Sequence, residues 1–250
     1  YSTHDASFGH FNSLSLQWVA VIFMLSGALP FVLYIKSLRG NVSSLFTDAQ
    51  VRGFVAFVVI ASVVLAWWLM TRRELGFLHA LTLTAFNITS VVTTTGFASD
   101  DYTAWGSGAI GFFLVLMFLG GCSGSTSGAI KFYRLQIAYL VARAHIKRLM
   151  NPNRTVIVKY NGKALPHDVP LSVMAFLAVF IATIAVFTVC LAFLGLDLVT
   201  AYSASVTAIT NVGPGLGSII GPAGTFAPLP DAAQWILSLP ILAAPLPALA

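Results

Sequence analysis

Four long apolar stretches constrain what this chain of 250 residues can fold into. They cover residues 14–35, 54–70, 108–140 and 171–194. A helix that crosses about 30 Å of hydrocarbon needs roughly 20 mainly apolar residues, and each stretch with its flanks suits that requirement. A fifth apolar stretch, residues 235–250, closes the sequence. The pattern predicts an all-α membrane protein.

The composition also indicates that lipid is the solvent for most of the chain. Apolar residues make up 58% and charged residues 8%, against about 45–50% and about 25% in typical soluble domains. The mean hydropathy is +0.88. These values exclude a soluble enzyme, a nucleic-acid-binding module and a disordered tail. The net charge of +5 does not indicate a nucleic-acid partner, because the basic residues lie in loops between the apolar stretches and form no stripe on a soluble face. The start at Tyr1, without an initiator Met, is expected of a piece of a longer protein.

Two shorter stretches, residues 78–92 and 198–209, are too short to span a bilayer and too rich in Thr, Ser and Asn to face lipid. Re-entrant segments have this length. Non-helical backbone at membrane depth must be buried in protein or line a water-filled cavity. A polar turn comes after each stretch, reading Thr93-Thr-Thr-Gly-Phe97 in the first case and Thr210-Asn-Val-Gly-Pro-Gly215 in the second.

The two turns belong to an internal repeat. Aligning Gly96 with Gly213 also aligns Thr93 with Thr210 and places Ser90 opposite Thr207. Weak similarity at matching topological positions is typical of repeats in transport proteins. Each repeat has the order long helix, short pore helix, filter turn, second long helix, and one such unit forms one wedge of a cation pore.

The filter turns have the chemistry needed to bind a dehydrated cation. Such an ion needs a ring of carbonyl oxygens in place of its water shell, and glycine lets the backbone adopt the required geometry. Threonine hydroxyls can add oxygen ligands. A polar turn between two helices is the alternative, and the second copy argues against it. The candidate ligands are Thr93, Thr94, Thr95, Gly96, Thr210, Asn211, Val212 and Gly213.

A glycine-rich segment, residues 120–128, interrupts the third long apolar stretch. It is small, polar and flexible, so it could act as a movable plug beside a water-filled path. Close helix packing through small residues is one alternative. An intramembrane serine protease is another, because Gly121-Cys-Ser-Gly124 fits a Gly-x-Ser-Gly pattern. The lack of any histidine at bilayer depth to activate Ser123 argues against it.

The Gly213-Pro-Gly-Leu-Gly217 stretch lacks the Lys-Ser/Thr of a nucleotide loop, so it is not interpreted as a nucleotide site.

The distribution of basic residues predicts the orientation. If the loops after the short segments lie outside, only Arg72 and Arg73 are outer, and six of the eight acids lie outside with them. This is a strong positive-inside bias. Eleven basic residues are then inner: Lys36, Arg39, Arg52, Lys131, Arg134, Arg143, Lys147, Arg148, Arg154, Lys159 and Lys163.

Three motifs in order closely resemble the TrkH/TrkG family of bacterial potassium-uptake proteins, relatives of KtrB. They read Val91-Val-Thr-Thr-Thr-Gly-Phe97, Gly120-Gly-Cys-Ser-Gly-Ser-Thr-Ser-Gly-Ala-Ile-Lys131 and Asn211-Val-Gly-Pro-Gly215. The stretch from Ser2 to Ser7 resembles the segment after the second filter of that family. The resemblance covers nearly the whole chain and corresponds to the C-terminal half of a family member.

The resemblance implies a pore of four pseudo-symmetric units. Residues 1–47 would end the second unit, 48–150 would be the third with filter 93–97 and gate loop 120–128, and 171–250 would be the fourth with filter 210–215. Residues 151–170 would be a cytoplasmic hairpin connector. Their Asn161-Gly162 pair itself predicts the hairpin, because both of its residues readily adopt the positive φ of a two-residue turn. It further implies transported K⁺, a homodimer in the lipid of the bacterial inner membrane, and a cytoplasmic nucleotide-binding regulator resembling TrkA that acts on residues 131–163. No nucleotide would bind this chain.

Two features limit what the resemblance implies. One filter glycine per unit leaves the preference for K⁺ over Na⁺ open, so a Na⁺-permeable or Na⁺-coupled relative is the alternative. The family's last span carries a Gly-Arg-x-Glu stretch. Here residues 237–250 contain three prolines and no arginine, so a gating role for that arginine does not transfer.

Overall fold

The structure is a computed structural model that describes residues 7–11, 13–151, 157–166, 168–217 and 219–243. The predicted all-α class is confirmed. In chain order, the α-helices of these ranges, α1 to α10, are Leu14–Gly27, Phe31–Leu38, Ser43–Thr47, Ala49–Arg73, Phe77–Val92, Ser107–Leu116, Phe132–Met150, Asp168–Phe193, Leu198–Thr210 and Asp231–Ala243. Short 3₁₀ turns occupy Ser7–His10 and Tyr102–Trp105. Residues 2–6 of the motif near the N-terminus lie outside the described residues.

Two pairs of two-residue strands complete the described structure. Strand β1 (Leu119–Gly120) pairs in parallel with β2 (Ile130–Lys131) across the glycine-rich segment. Strands β3 (Lys159–Tyr160) and β4 (Lys163–Ala164) form an antiparallel hairpin. Asn161 and Gly162 between them both have positive φ, 47° and 78°. The two-residue turn predicted from this Asn-Gly pair is confirmed.

The two predicted short segments are helices that the protein encloses. Helix α5 begins at Phe77 and ends at Val92, with twelve of its sixteen residues buried. Helix α9 begins at Leu198 and ends at Thr210, with nine of thirteen buried. The Asp197 carboxylate accepts from the Thr200 N–H and begins α9, and hydrogen bonds from Thr200 lower the pKa of Asp197. The Thr, Ser and Asn side chains of both helices therefore lie inside the protein.

Each short helix packs against a long one, which confirms the predicted repeats. Within the described residues, α4 and α8 are the two single helices that are long and apolar enough to cross a membrane. Helix α5 packs against α4 and α1, and α9 packs against α8 and α10. Helix α8 has only five of its 26 residues buried, so most of its apolar surface is available to lipid.

The first predicted span is not a continuous helix. Helices α1 and α2 together have the length of a span, but they are bent by 93° at the break between them. Pro30 stands at the N-cap of α2. Proline cannot donate a backbone hydrogen bond and disfavours helical geometry in the preceding residue. The prediction of one helix over residues 14–35 is therefore wrong at this point.

The third predicted span is divided where the glycine-rich segment was expected to interrupt it. Helix α6 ends at Leu116 and α7 begins at Phe132. Helix α7 then continues to Met150, ten residues beyond the predicted end of the span.

The last helix, α10, begins at Asp231 and contains Pro240. Residues 244–250 of the predicted fifth span lie outside the described residues.

Candidate functional site

The two filter turns have the same backbone pattern. Thr94 and Gly96 have positive φ, 55° and 80°, and the aligned residues Asn211 and Gly213 have φ of 59° and 109°. A left-handed residue other than glycine costs roughly 1–2 kcal/mol. Both repeats bear this cost at equivalent positions, Thr94 and Asn211. The two turns therefore share the same left-handed backbone conformation.

The hydrogen bonds of the turns confirm the alignment of the repeats. The Thr95 N–H donates to the Ser90 carbonyl at 2.9 Å, and the Val212 N–H donates to the Thr207 carbonyl at 3.2 Å. Ser90 and Thr207 are the residues that the sequence alignment placed opposite each other. In both turns these N–H groups therefore point back toward the pore helices.

Both turns lie on one cavity of about 650 Å³. Gly96, Asn211 and Gly213 are the three predicted ligands among its lining residues, and Ser7 and Thr207 lie beside them. The other lining residues come from residues 220–226 and from α10. The Gly-Pro composition of residues 220–226 predicts only a loop, with no role in a site. The cavity brings the two filter glycines together.

The three threonine hydroxyls of the first filter turn, residues 93–96, already have hydrogen-bond partners within the protein. The Thr93 and Thr95 hydroxyls lie 2.8 Å apart in a hydrogen bond. The Thr94 hydroxyl accepts from the Gly128 N–H at 2.8 Å. Each threonine hydroxyl of this turn therefore already takes part in a hydrogen bond within the protein.

In the second filter turn, residues 210–213, one side chain is placed to bind an ion directly. The Thr210 hydroxyl donates to the Val206 carbonyl at 2.7 Å, and Val212 is 1% exposed. Asn211 is exposed to the cavity. Among these three residues, only Asn211 can offer a side-chain oxygen to an ion in the cavity.

Gly128 ends the segment that is predicted to be the gate loop (residues 120–128), and it lies against both filter turns. Its N–H donates to Thr94 of one turn. A Cβ atom at this position would collide with the Thr210 carbonyl oxygen and would lie 3.3 Å from Asn211 Cβ. Only a residue without a side chain fits between the two turns. The gate loop is thus in contact with both halves of the candidate filter.

The buried ammonium of Lys131 closes the gate loop on itself. Lys131 is 3% exposed, and its Nζ donates to the carbonyls of Ser125, at 3.1 Å, and Ser127. The interrupted helix leaves these carbonyls without helical donors, and the ammonium supplies one. Lys131 therefore lies inside the protein and not in an exposed inner loop, and the inner placement of the other ten basic residues stays a prediction.

The gate loop is anchored to the break between α1 and α2. The Cys122 N–H donates to the Ala28 carbonyl at 2.9 Å, and the Thr126 hydroxyl donates to the Gly27 carbonyl at 3.0 Å. In the other direction, the Phe31 N–H donates to the Gly124 carbonyl at 3.0 Å. Two irregular segments therefore satisfy each other's backbone groups, as buried irregular backbone in a membrane requires.

Ser123 occupies the exposed tip of the gate loop. Its backbone N–H donates to the side-chain oxygen of Gln50 at 2.6 Å. This hydrogen bond uses the backbone of Ser123 and makes the residue part of the loop's attachment to α4.

Comparisons with known proteins bear on the family to which this chain belongs. The family model described as "TrkH: Cation transport protein" matches residues 1–242. The chain is 46% identical over 243 residues to the Trk system potassium uptake protein TrkI of Halomonas elongata, covering 97% of this chain and 49% of that protein. It is 31% identical to the Trk system potassium uptake protein TrkH of Salmonella typhimurium, covering 95% and 49%.

A solved structure matches as well. The crystal structure of the potassium transporter TrkH from Vibrio parahaemolyticus superposes with a TM-score of 0.91 at 29% identity, over 98% of this chain and 52% of that one. The chain spans about half the length of the relatives it matches. The matching family model, the relatives and the shared fold agree, and the chain belongs to the TrkH family of cation transport proteins.

Proposed function

We propose that this chain is the C-terminal half of a subunit that carries K⁺ across the bacterial inner membrane. Its relatives are named as potassium uptake proteins, and the chain covers about half of each. On this proposal, residues 1–47 end the second pore unit, 48–150 and 171–250 are the third and fourth, and 151–170 connect them on the cytoplasmic side.

The filter would bind a partly dehydrated K⁺ through the backbone of its two turns. Carbonyl oxygens at Thr94, Thr95, Asn211 and Val212 replace water, while Gly96 and Gly213 permit the backbone geometry. Helices α5 and α9 both end at these turns. The C-terminal end of a helix carries a partial negative charge, so both dipoles favour a cation there. The matched positive-φ pattern on one shared cavity is the observation that carries this proposal.

The gate loop would block the path until it is withdrawn. It already contacts both filter turns through Gly128. A cytoplasmic nucleotide-binding partner resembling TrkA would move it by acting on residues 131–163. The subunit would work as a homodimer, and any nucleotide would bind the partner.

The direct test is growth of a K⁺-uptake-deficient bacterial strain that expresses the complete transporter containing this chain. We expect growth at low external K⁺, and equal growth with Ser123→Ala, because the bond to Gln50 uses the Ser123 backbone. Loss of growth with Ser123→Ala, together with labelling of Ser123 by a serine-directed probe, would favour a serine protease. Growth that requires Na⁺ would favour a Na⁺-coupled carrier.

A further inference from the structure

We propose that Gln50 keeps the gate loop against the filter, and that the β3–β4 hairpin fixes the position of Gln50 through Gln136. Displacement of the hairpin would then release the loop. This inference rests on the proposed function, since it names the route by which a cytoplasmic event reaches the gate. Three side-chain hydrogen bonds between separate elements carry it.

The first bond joins the gate loop to helix α4. Gln50 is 8% exposed, and its side-chain oxygen accepts from the Ser123 N–H at 2.6 Å. Gln50 lies in the first turn of α4, where the Asp48 side chain accepts from the N–H groups of Gln50 and Val51. The capped helix start fixes the position of Gln50. A shift of this turn therefore moves the acceptor that the gate loop uses.

The second bond joins the same turn of α4 to helix α7. The Gln136 amide nitrogen donates to the Ala49 carbonyl at 3.3 Å. Gly53, one turn further along α4, allows this approach, because a Cβ atom there would lie 2.6 Å from that amide nitrogen and 3.0 Å from the Phe132 ring. Helix α7 is thereby held to the part of α4 that carries Gln50.

The third bond joins α7 to the hairpin. The Tyr160 hydroxyl donates to the Gln136 side-chain oxygen at 2.7 Å, and the Tyr160 ring packs edge to face on Tyr133 at 5.0 Å. Burial, followed by the charge of Asp48, raises the pKa of Tyr160. The hydroxyl is the donor of this bond, because an amide oxygen can only accept. A glutamine amide can accept and donate at once. Gln136 therefore connects the hairpin and α4 through one side chain.

The buried thiol of Cys122 offers a way to measure release of the gate loop without measuring ion flow. Cys122 is 0% exposed and lies beside Ser123. A maleimide can react with such a thiol only when the loop opens. The exposed Cys190 is replaced by Ala, and any other cysteine of the complete transporter is replaced as well. The labelling rate of Cys122 then reports the open fraction of the gate loop.

We expect Tyr160→Phe to raise the labelling rate of Cys122 about fivefold, the factor that corresponds to one net hydrogen bond. Gly53→Ala should act in the same direction, because the added methyl group displaces Gln136. Gln50→Leu should raise the rate at least as much, and the double variant Gln50→Leu/Tyr160→Phe should match Gln50→Leu alone. The matched controls are Tyr139→Phe, at an exposed tyrosine of α7, and Gly111→Ala, with open space around its added methyl; neither should change the rate.

Two results would overturn the inference. One is a labelling rate that Tyr160→Phe and Gly53→Ala both leave unchanged. The other is a double variant whose rate is the product of the two single effects, since independent contacts multiply. Tyr160→Phe removes one oxygen atom from a half-buried side chain of an exposed hairpin, so folding is preserved in that variant. Uptake of K⁺ by the unmodified transporter, measured in parallel, tests the proposed function separately. Failed uptake would reject that function, whereas unchanged labelling with normal uptake would reject only the connection.

Discussion

Gly213→Ser and Gly96→Ser are each expected to lower the ratio of K⁺ to Na⁺ uptake by about tenfold or more. The φ angles of these residues, 109° and 80°, are ones that residues with a side chain rarely adopt. A serine is strained there by roughly 1–3 kcal/mol, and the turn relieves this strain by rotating the carbonyls that would hold the ion. Uptake of each ion is measured in the complete transporter, in a strain that lacks its own K⁺-uptake systems.

Gly195→Ser is the matched control for both filter glycines. Gly195 also has a positive φ, 89°, and lies in the connection between α8 and α9 with open space around a Cβ atom. It shares the backbone strain but does not line the cavity. The same loss of selectivity in Gly195→Ser, or unchanged selectivity in both filter variants, would contradict the assignment of the filter.

Gly128→Ala is expected to raise K⁺ uptake in the absence of any cytoplasmic partner by about tenfold. The added methyl group would collide with the Thr210 carbonyl oxygen, so the gate loop could no longer lie against the filter. Overpacking of this kind costs about 1–3 kcal/mol, and each 1.4 kcal/mol changes the closed-to-open ratio about tenfold. Initial rates of K⁺ uptake into proteoliposomes that contain only the transporter give the comparison.

Thr94→Val tests the same contact from the filter side. Valine has nearly the shape of threonine but cannot accept the Gly128 N–H, so we expect a smaller rise of about fivefold. Gly111→Ala, within helix α6, should leave uptake unchanged because nothing lies near its added methyl. Lower uptake by a correctly folded Gly128→Ala transporter would show that this contact supports the open path and does not block it.

The parts of this structure that were predictable are encoded in short runs of sequence. Thr, Ser and Asn within the short apolar stretches predicted α5 and α9 to within a residue or two at their ends. The Asn161-Gly162 pair predicted the hairpin turn. The aligned filter turns predicted a repeat that the backbone angles then matched, because glycine and its neighbours specify those angles locally.

The features that sequence reasoning missed depend on contacts between distant residues. Pro30 was a visible signal for the break between α1 and α2, but the gate loop that satisfies this break lies about a hundred residues away. The burial of Lys131 depends on carbonyls that only a broken helix exposes. The bonds of Gln50 and Gln136 to other elements span 73 and 87 residues. No local periodicity carries such information.

The central claim is that the backbones of residues 93–96 and 210–213 replace the water shell of one K⁺ ion. An anomalous difference map of the complete transporter crystallised with Rb⁺ in place of K⁺ tests it most directly. We expect a peak between the two turns, in direct contact with carbonyl oxygens of both, that weakens in the Gly213→Ser variant. A peak that contacts only one turn, or a transporter that takes up Rb⁺ yet shows no peak between them, would contradict the claim.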